Sequence, residues 1–262
     1  MLDEKLIQNI IEITHKAGDK IMEIYERDFA IYEKSDESPL TEADLAAHNC
    51  IVDGLTSVSE FPILSEESAN IPWDERKQWS SYWLVDPLDG TKEFIKKNGE
   101  FTVNIALIKD GVPVFGVVFA PVLEQTYVGV GGKGAYKITA GVQVPITPTV
   151  RATGETWKIV GSRSHQSPEI KALLDSLDGE TELVAMGSSL KLCLVAEGAA
   201  HLYPRLGPTS EWDTGAAQAV VEAAGGKVTI IEDSADALKA DAAPLKYNQK
   251  DSVLNPYFLV SC

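Results

Sequence analysis

Residues able to do chemistry concentrate in one short stretch, Asp86-Pro87-Leu88-Asp89-Gly90-Thr91. It follows the apolar run Trp83-Leu84-Val85 and precedes the helix-compatible segment Lys92 to Lys97, so it reads as strand, turn and helix start. Two carboxylates three residues apart at a strand end are thereby brought close to glycine and to free backbone N–H groups. Those are the two halves of a metal-assisted phosphate site.

More acids stand at comparable places. The apolar run Phe61-Pro62-Ile63-Leu64 predicts a short buried strand that delivers Glu66 and Glu67 at its end. Adjacent glutamates point in different directions, so only one need face a site, and a solvated acidic loop is the competing reading. Asp213, in Glu211-Trp212-Asp213-Thr214, is expected just ahead of a helix from Gly215 to Ala224, where a carboxylate is by default an N-cap and can also lean toward a metal. Asp44 closes Thr41-Glu42-Ala43-Asp44, a capping pattern at the start of another helix; capping is the plain reading there and catalysis the reserve one. Crowding Glu66, Asp86, Asp89 and Asp213 together costs several kcal/mol unless cations are present. Hard Mg²⁺ ions held by those carboxylates, the Leu88 carbonyl and waters would relieve the repulsion, and two or more ions are implied.

The elements that must position these residues are legible from periodicity. Leu6, Ile10, Ile13, Ala17, Ile21 and Ile24 predict a long amphipathic helix from Leu2 to about Tyr25, followed by a strand Phe29 to Glu33 and a turn at Ser38-Pro39. Asn70 to Ser81 reads as a surface excursion. Thr102 to Ile108, Val112 to Phe119, Thr126 to Val130 and Ala135 to Thr139 predict an antiparallel meander. After a boundary within Pro145 to Gly154 the pattern alternates: strand Lys158 to Val160, helix from Pro168, strand Glu182 to Ala185, helix from Ser189, strand Ala200 to Tyr203. The expected fold is two-domain α/β: residues 1–150 form an α+β part with a mainly antiparallel sheet, and residues 151–262 a smaller α/β part, with the site in the cleft between.

Composition narrows the partners. A formal net charge of −16 over 262 residues repels a long nucleic-acid polymer, so any anionic ligand is small and locally neutralised. Cys50, Cys193 and Cys262 form no close pair and suit a reducing compartment. No apolar run approaches the ~18–20 residues that span a bilayer, so a cytoplasmic protein is expected; peripheral attachment to the inner face of the membrane would leave no mark in the sequence. Gly129-Val130-Gly131-Gly132-Lys133-Gly134 matches the dinucleotide fingerprint formally, yet Ala135 to Ile138 reads as a strand where the fingerprint needs a helix, and a hairpin turn is expected instead.

Taken in order, Thr41 to Asp44, Glu66-Glu67, the acid-Pro-apolar-Asp-Gly-Thr run and Trp212-Asp213 resemble the magnesium-dependent, lithium-sensitive phosphatases of the inositol monophosphatase superfamily over nearly the whole chain. That resemblance implies a layered α/β/α/β/α sandwich. Ser162-Arg163-Ser164-His165, Gly187-Ser188-Ser189-Leu190-Lys191, Tyr203-Pro204-Arg205 and Gly207 to Asp213 resemble the 3′(2′),5′-bisphosphate nucleotidases of bacterial sulfur metabolism. The substrate so implied is adenosine 3′,5′-bisphosphate, with its sulfated precursor as a second candidate, and the products are AMP and phosphate.

The resemblance also assigns roles. Glu66, Asp86 and the Leu88 carbonyl would hold one Mg²⁺; Asp86, Asp89 and Asp213 a second; a weaker third lies near Glu66 and Glu67, which brings Glu67 into the catalytic set. Thr91, held by Asp44, would orient the attacking water, and the phosphoryl group would rest on the N–H groups of Gly90 and Thr91. Ser188, Lys191 and Arg205 would take the second phosphate and His165 would lie near the adenine. Inositol monophosphates and fructose 1,6-bisphosphate are the rival substrates, since the same metal core serves all three, and a catalytically silent metal or nucleotide sensor is the rival of another class. Aspartyl-phosphate chemistry is disfavoured because its two aspartates stand two residues apart, not three.

Overall fold

The computed structural model describes residues 2–33, 39–161, 168–232 and 241–262. Its first helix, α1 (Glu4–Tyr25), is capped by the Asp3 carboxylate, which accepts from Leu6 N at 2.8 Å, and it buries Ile10, Ala17 and Ile21 as the periodicity predicts. It packs beside α2 (Glu42–Val58) on one face of a seven-stranded sheet. That sheet runs in chain order: β3 (Ile63–Ser65), β4 (Ser81–Asp89), β5 (Thr102–Lys109), β6 (Val112–Ala120), β7 (Gln125–Val130), β8 (Gly134–Thr139) and β9 (Val142–Ile146). Only β3 and β4 pair in parallel; the rest is the expected meander. A two-stranded pair, β1 (Ile31–Glu33) and β2 (Pro39–Thr41), precedes α2.

Side chains along β4 alternate between the two sides. Trp83 and Val85 face the α1–α2 layer, while Tyr82 and Leu84 face a second core shared with α6 (Leu190–Ala196) and α7 (Glu211–Ala224). The far side of that core is a five-stranded sheet of order β11 (Thr181–Ala185), β10 (Trp157–Gly161), β12 (Leu202–Arg205), β14 (Phe258–Ser261), β13 (Lys227–Ile230). Its outer face carries α5 (Pro168–Ser176) over Ile159, Leu202 and Leu259. The layers are therefore helix, sheet, helix, sheet, helix, the expected sandwich. The large sheet draws on residues 63–146 and the small one on 157–261.

Close seating of α7 on the large sheet rests on two glycines. A methyl group at Gly116 would overlap the Ala216 carbonyl oxygen, and one at Gly129 would overlap that of Ala219. The glycine-rich Gly129 to Gly134 segment is a strand end and hairpin turn between β7 and β8, as the failed fingerprint suggested.

Three expectations need correction. Helix α7 begins at Glu211 with Ser210 as its cap, so Asp213 is the third helical residue rather than the residue before the helix. Asn70 to Ser81 is not all surface: it contains the short α3 (Trp73–Arg76), whose buried Arg76 donates to the Asn248 Oδ1 at 2.8 Å and to the Asp251 carbonyl. A charged residue with satisfied distant partners buries without any apolar signature to betray it. Strands β2, β9, β13 and β14 also go beyond the predicted set, because β2 is three residues long and starts at Pro39, where a turn is expected, β9 is an exposed edge, and β13 and β14 are four residues each.

Candidate active site

Strand β4 continues through the acidic stretch, and its register to β5 shifts between Asp86 and Asp89. In a regular strand, positions three apart face opposite sides; the shift returns Asp89 to the side of Asp86. Both then face the start of α7. Asp86, Asp89 and Asp213 each offer a carboxylate oxygen within 4.8 Å of the others. Glu66, in the 3₁₀ turn Glu66–Ser68 that ends β3, adds a hydrogen bond and its charge at Asp86. Burial lowers the pKa of His48 and the charge of Glu67 opposes that shift, and His48 Nδ1 lies 2.9 Å from Ser65 Oγ.

Each carboxylate is also fixed from outside. Leu88 N donates to Asp86 Oδ1 at 3.0 Å, Ser189 N to Asp89 Oδ2 at 2.5 Å, and Ser210 N to Asp213 Oδ2 at 2.9 Å. The last closes the capping box of α7, so Asp213 caps and joins the cluster at once. The Asp89–Ser189 bond ties the large sheet to α6, and Ser189 Oγ continues to Thr102 and Asn104 at 2.8 Å each.

Burial dominates the electrostatics. Desolvation, with the charges of Glu66, Asp89 and Asp213, holds the Asp86 carboxyl well above the usual carboxylate range. Asp213 is raised in the same way, by desolvation and then by Asp89. Asp89 is pushed up to about 6 by desolvation, against the opposing pull of Lys191 and the Ser189 N–H. Three carboxylates crowded within 4.8 Å of one another are an all-oxygen donor set of the kind that suits a hard divalent ion.

On the opposite side of the acidic stretch, Gly90 has φ 92° and a Cβ there would stand 3.3 Å from the Glu100 carbonyl, so only glycine fits both the turn and the space. Helix α4 (Thr91–Ile95) is five residues long. Its first-turn N–H groups, rather than any sizeable macrodipole, are what it offers an anion. Thr91 Oγ1 donates to Asp44 Oδ1 at 3.3 Å or to the Leu88 carbonyl at 3.4 Å. The other oxygen of Asp44 accepts from Thr41 N at 2.8 Å and Thr41 Oγ1 at 2.7 Å. The two readings of Asp44 thus coexist, one per carboxylate oxygen.

Across the cleft, Ser188 is buried with φ 48°, and Lys191 and Arg205 approach the acids from α6 and β12. Lys191 is pushed down by burial, with Asp89 opposing, and its Nζ lies 5.8 Å from the Tyr203 ring centre. Arg205 spends Nε on Thr209 Oγ1 and Nη2 on the Pro208 carbonyl, both at 2.7 Å. A cavity of about 80 Å³ lies among Asp89, Ser188, Lys191, Arg205 and Asp213. His165 lies outside the described residues. Thr102 and Asn104 go beyond the site residues that the sequence names; two polar side chains within the buried stretch 102–108 of β5 are the available signal.

Fold and cleft together define a class, the metal-dependent phosphatases of layered α/β architecture. The chain belongs to the inositol monophosphatase family, which it matches over residues 2–257. It is 47% identical over 259 residues to the 3′(2′),5′-bisphosphate nucleotidase CysQ of Escherichia coli strain K12, covering 98% of this chain and 99% of the relative. The CysQ of Haemophilus influenzae is 34% identical across 99% of this chain and 93% of its own. The crystal structure of CysQ from Bacteroides thetaiotaomicron superposes with a TM-score of 0.82 at 43% identity, covering 97% of this chain and 96% of that one.

Proposed function

We propose that this protein hydrolyses the 3′-phosphate of adenosine 3′,5′-bisphosphate to AMP and inorganic phosphate, with the 5′-phosphosulfate analogue as a second substrate. The observation that carries the reading is the three-carboxylate cluster facing two cations across one cleft, in a chain nearly half identical to named bisphosphate nucleotidases over its full length. Acids for metal and cations for a second phosphate are what a bisphosphate monoesterase needs and what a monophosphatase needs only in part.

In this reading the cleft lies between an N-terminal unit, residues 1–150, and a C-terminal unit, residues 151–262. Glu66, Asp86 and the Leu88 carbonyl would hold one Mg²⁺, Asp86, Asp89 and Asp213 would hold a second, and Glu66 and Glu67 would hold a third weakly. Bound there, magnesium neutralises the carboxylates and acidifies water. Thr91 donates its hydroxyl hydrogen bond to Asp44, so a lone pair on Oγ1 is left to accept from a water and orient it. The N–H groups of Gly90 and Thr91 receive phosphate oxygens, while Ser188, Lys191 and Arg205 receive the second phosphate, with His165 assigned to the adenine. The water oxygen bonds to phosphorus as the P–O3′ bond breaks in line, a proton released by that water ends on the departing 3′-oxygen, and no phosphoenzyme forms. Three unpaired cysteines suit a reducing compartment, and we place the reaction in the cytoplasm.

Phosphate release from adenosine 3′,5′-bisphosphate, inositol 1-phosphate and fructose 1,6-bisphosphate, measured side by side with Mg²⁺, with EDTA and with Mg²⁺ plus Li⁺, tests this. The nucleotide is expected to be preferred, with turnover abolished by EDTA and suppressed by lithium. Preference for the inositol phosphate or the sugar bisphosphate would keep the metal mechanism and overturn the substrate.

A further inference from the structure

A second, larger cavity of about 460 Å³ adjoins the acidic cleft, and Lys191, Tyr203 and Arg205 form the wall between them. Its size falls in the range of about 300–1,000 Å³ usual for small-molecule sites. Ile159, Ile170, Leu174 and Leu183 make its apolar side. Its charges are one-sided: among the described residues lining it stand three cations, Lys92, Lys191 and Arg205, and no carboxylate. In a chain with 39 acidic and 23 basic residues, such a lining is a strong local inversion of sign.

The three cations are not equivalent. Arg205 already spends two donors on Thr209 and Pro208, and Lys191 is drawn toward Asp89 and lies over Tyr203. Lys92 is exposed, and no hydrogen bond or ion pair within the described residues engages its ammonium. It is also the residue after Thr91, on α4, so the large sheet's side of the cleft reaches into a cavity otherwise lined by residues 159–208.

We propose that Lys92 is a specificity-determining residue: its ammonium binds the phosphate that is not being hydrolysed, at the 5′ end of the nucleotide, while the apolar side of the same cavity receives the nucleoside. This rests on the nucleotidase reading above and adds a contact from the half of the cleft that carries the acids. Cations on the substrate's far phosphate from both sides of the cleft, Lys92 from one and Lys191 and Arg205 from the other, make bisphosphate recognition depend on the two sides being in register. Lysine suits the position because a point charge on a flexible stem can follow either a phosphate or a phosphosulfate.

The test compares kcat and KM for adenosine 3′,5′-bisphosphate and for 3′-AMP in the wild type, Lys92→Ala and Lys92→Arg, with inhibition by 5′-AMP as a separate binding readout. Removing a charge-assisted contact to phosphate is expected to lower kcat/KM for the bisphosphate about 10- to 100-fold, chiefly through KM. The 3′-AMP values should fall far less, the 5′-AMP inhibition constant should rise by a similar factor, and arginine should restore most of the loss. Equal losses on both substrates would place Lys92 at the reacting phosphate, and no loss on either would make it a solvated surface lysine; each outcome overturns the proposal alone. A wild type that does not prefer the bisphosphate to 3′-AMP would instead remove the nucleotidase reading and this inference with it.

Discussion

Asp86 carries the sharpest conflict between stability and use. Its carboxylate is buried, raised by desolvation and by Glu66, and hydrogen-bonded by the Leu88 N–H, so in the absence of a cation its charge opposes folding. Asp86→Asn is therefore expected to lower kcat by roughly 10²–10³-fold or more while raising the thermal midpoint measured in EDTA at neutral pH. Turnover close to wild type would refute Asp86 as a metal ligand. A drop in the EDTA midpoint would mean the side chain is needed structurally. Asp44 makes a different residue-scale case, because its two oxygens serve two ends, the cap of α2 and the Thr91 hydroxyl. Asp44→Ala should cost about 0.5–2 kcal/mol of stability through the cap and, separately, lower kcat. Thr91→Ala should reproduce the loss in kcat without the loss in stability. If Thr91→Ala left kcat intact, the orienting role assigned to the pair would fall.

Elements matter here through where they end. Strand β4 brings two acids to one side because its register to β5 slips between them, and α7 brings the third because its stretch 215–219, just after the first turn, is pressed onto the sheet. Gly116 allows that approach, since any Cβ would run into the backbone carbonyl of Ala216, which cannot swing away as a side chain could. Gly116→Ala is expected to destabilise the protein by about 1–3 kcal/mol and, by tilting α7, to weaken Mg²⁺-dependent activity as well. Denaturant unfolding and a magnesium titration of the variant check both halves. A stability loss with an unchanged magnesium requirement would show that Asp213 holds its place independently of the helix seating.

For the molecule as a whole, the acid cluster predicts how stability follows pH. Asp89 in the folded chain is raised to about 6, and Asp86 and Asp213 are held well above their usual range, in each case by desolvation first. A carboxyl whose folded pKa exceeds its unfolded value binds more protons when folded, so its contribution is fully present below the unfolded pKa and is lost as pH rises through the folded one. Metal-free protein should therefore lose stability from these groups as pH climbs from about 4 through about 6 and beyond. Magnesium binds the ionised forms and reverses the loss, so the gain in thermal midpoint from adding Mg²⁺ should grow with pH across that window. A magnesium increment that stayed constant with pH would show that these carboxylates do not titrate together with metal binding.

Much of this was legible in the chain. The period-three-and-four apolar spacing of α1, the β-rich runs of the meander, the failure of the glycine cluster as a nucleotide fingerprint and the acid-Pro-apolar-Asp-Gly-Thr run are local patterns, and local sterics and hydrophobic periodicity dictate them. Spacing also named Asp86, Asp89 and Gly90 as one unit. What sequence could not decide was anything that depends on a register or on partners far apart. Arg76 is buried because Asn248 and Asp251, more than 170 residues on, satisfy it; Asp89 is held by Ser189, a hundred residues away; Asp44 is both cap and Thr91 partner only once α2 meets the end of β4. The inversion of charge around the larger cavity is likewise invisible in a chain of net charge −16, because it arises from three cations on three separate elements. Residue types and their local spacing determined the chemistry available to this protein; long-range packing, which sets distance, burial and hence pKa, decided which of those residues share one cleft.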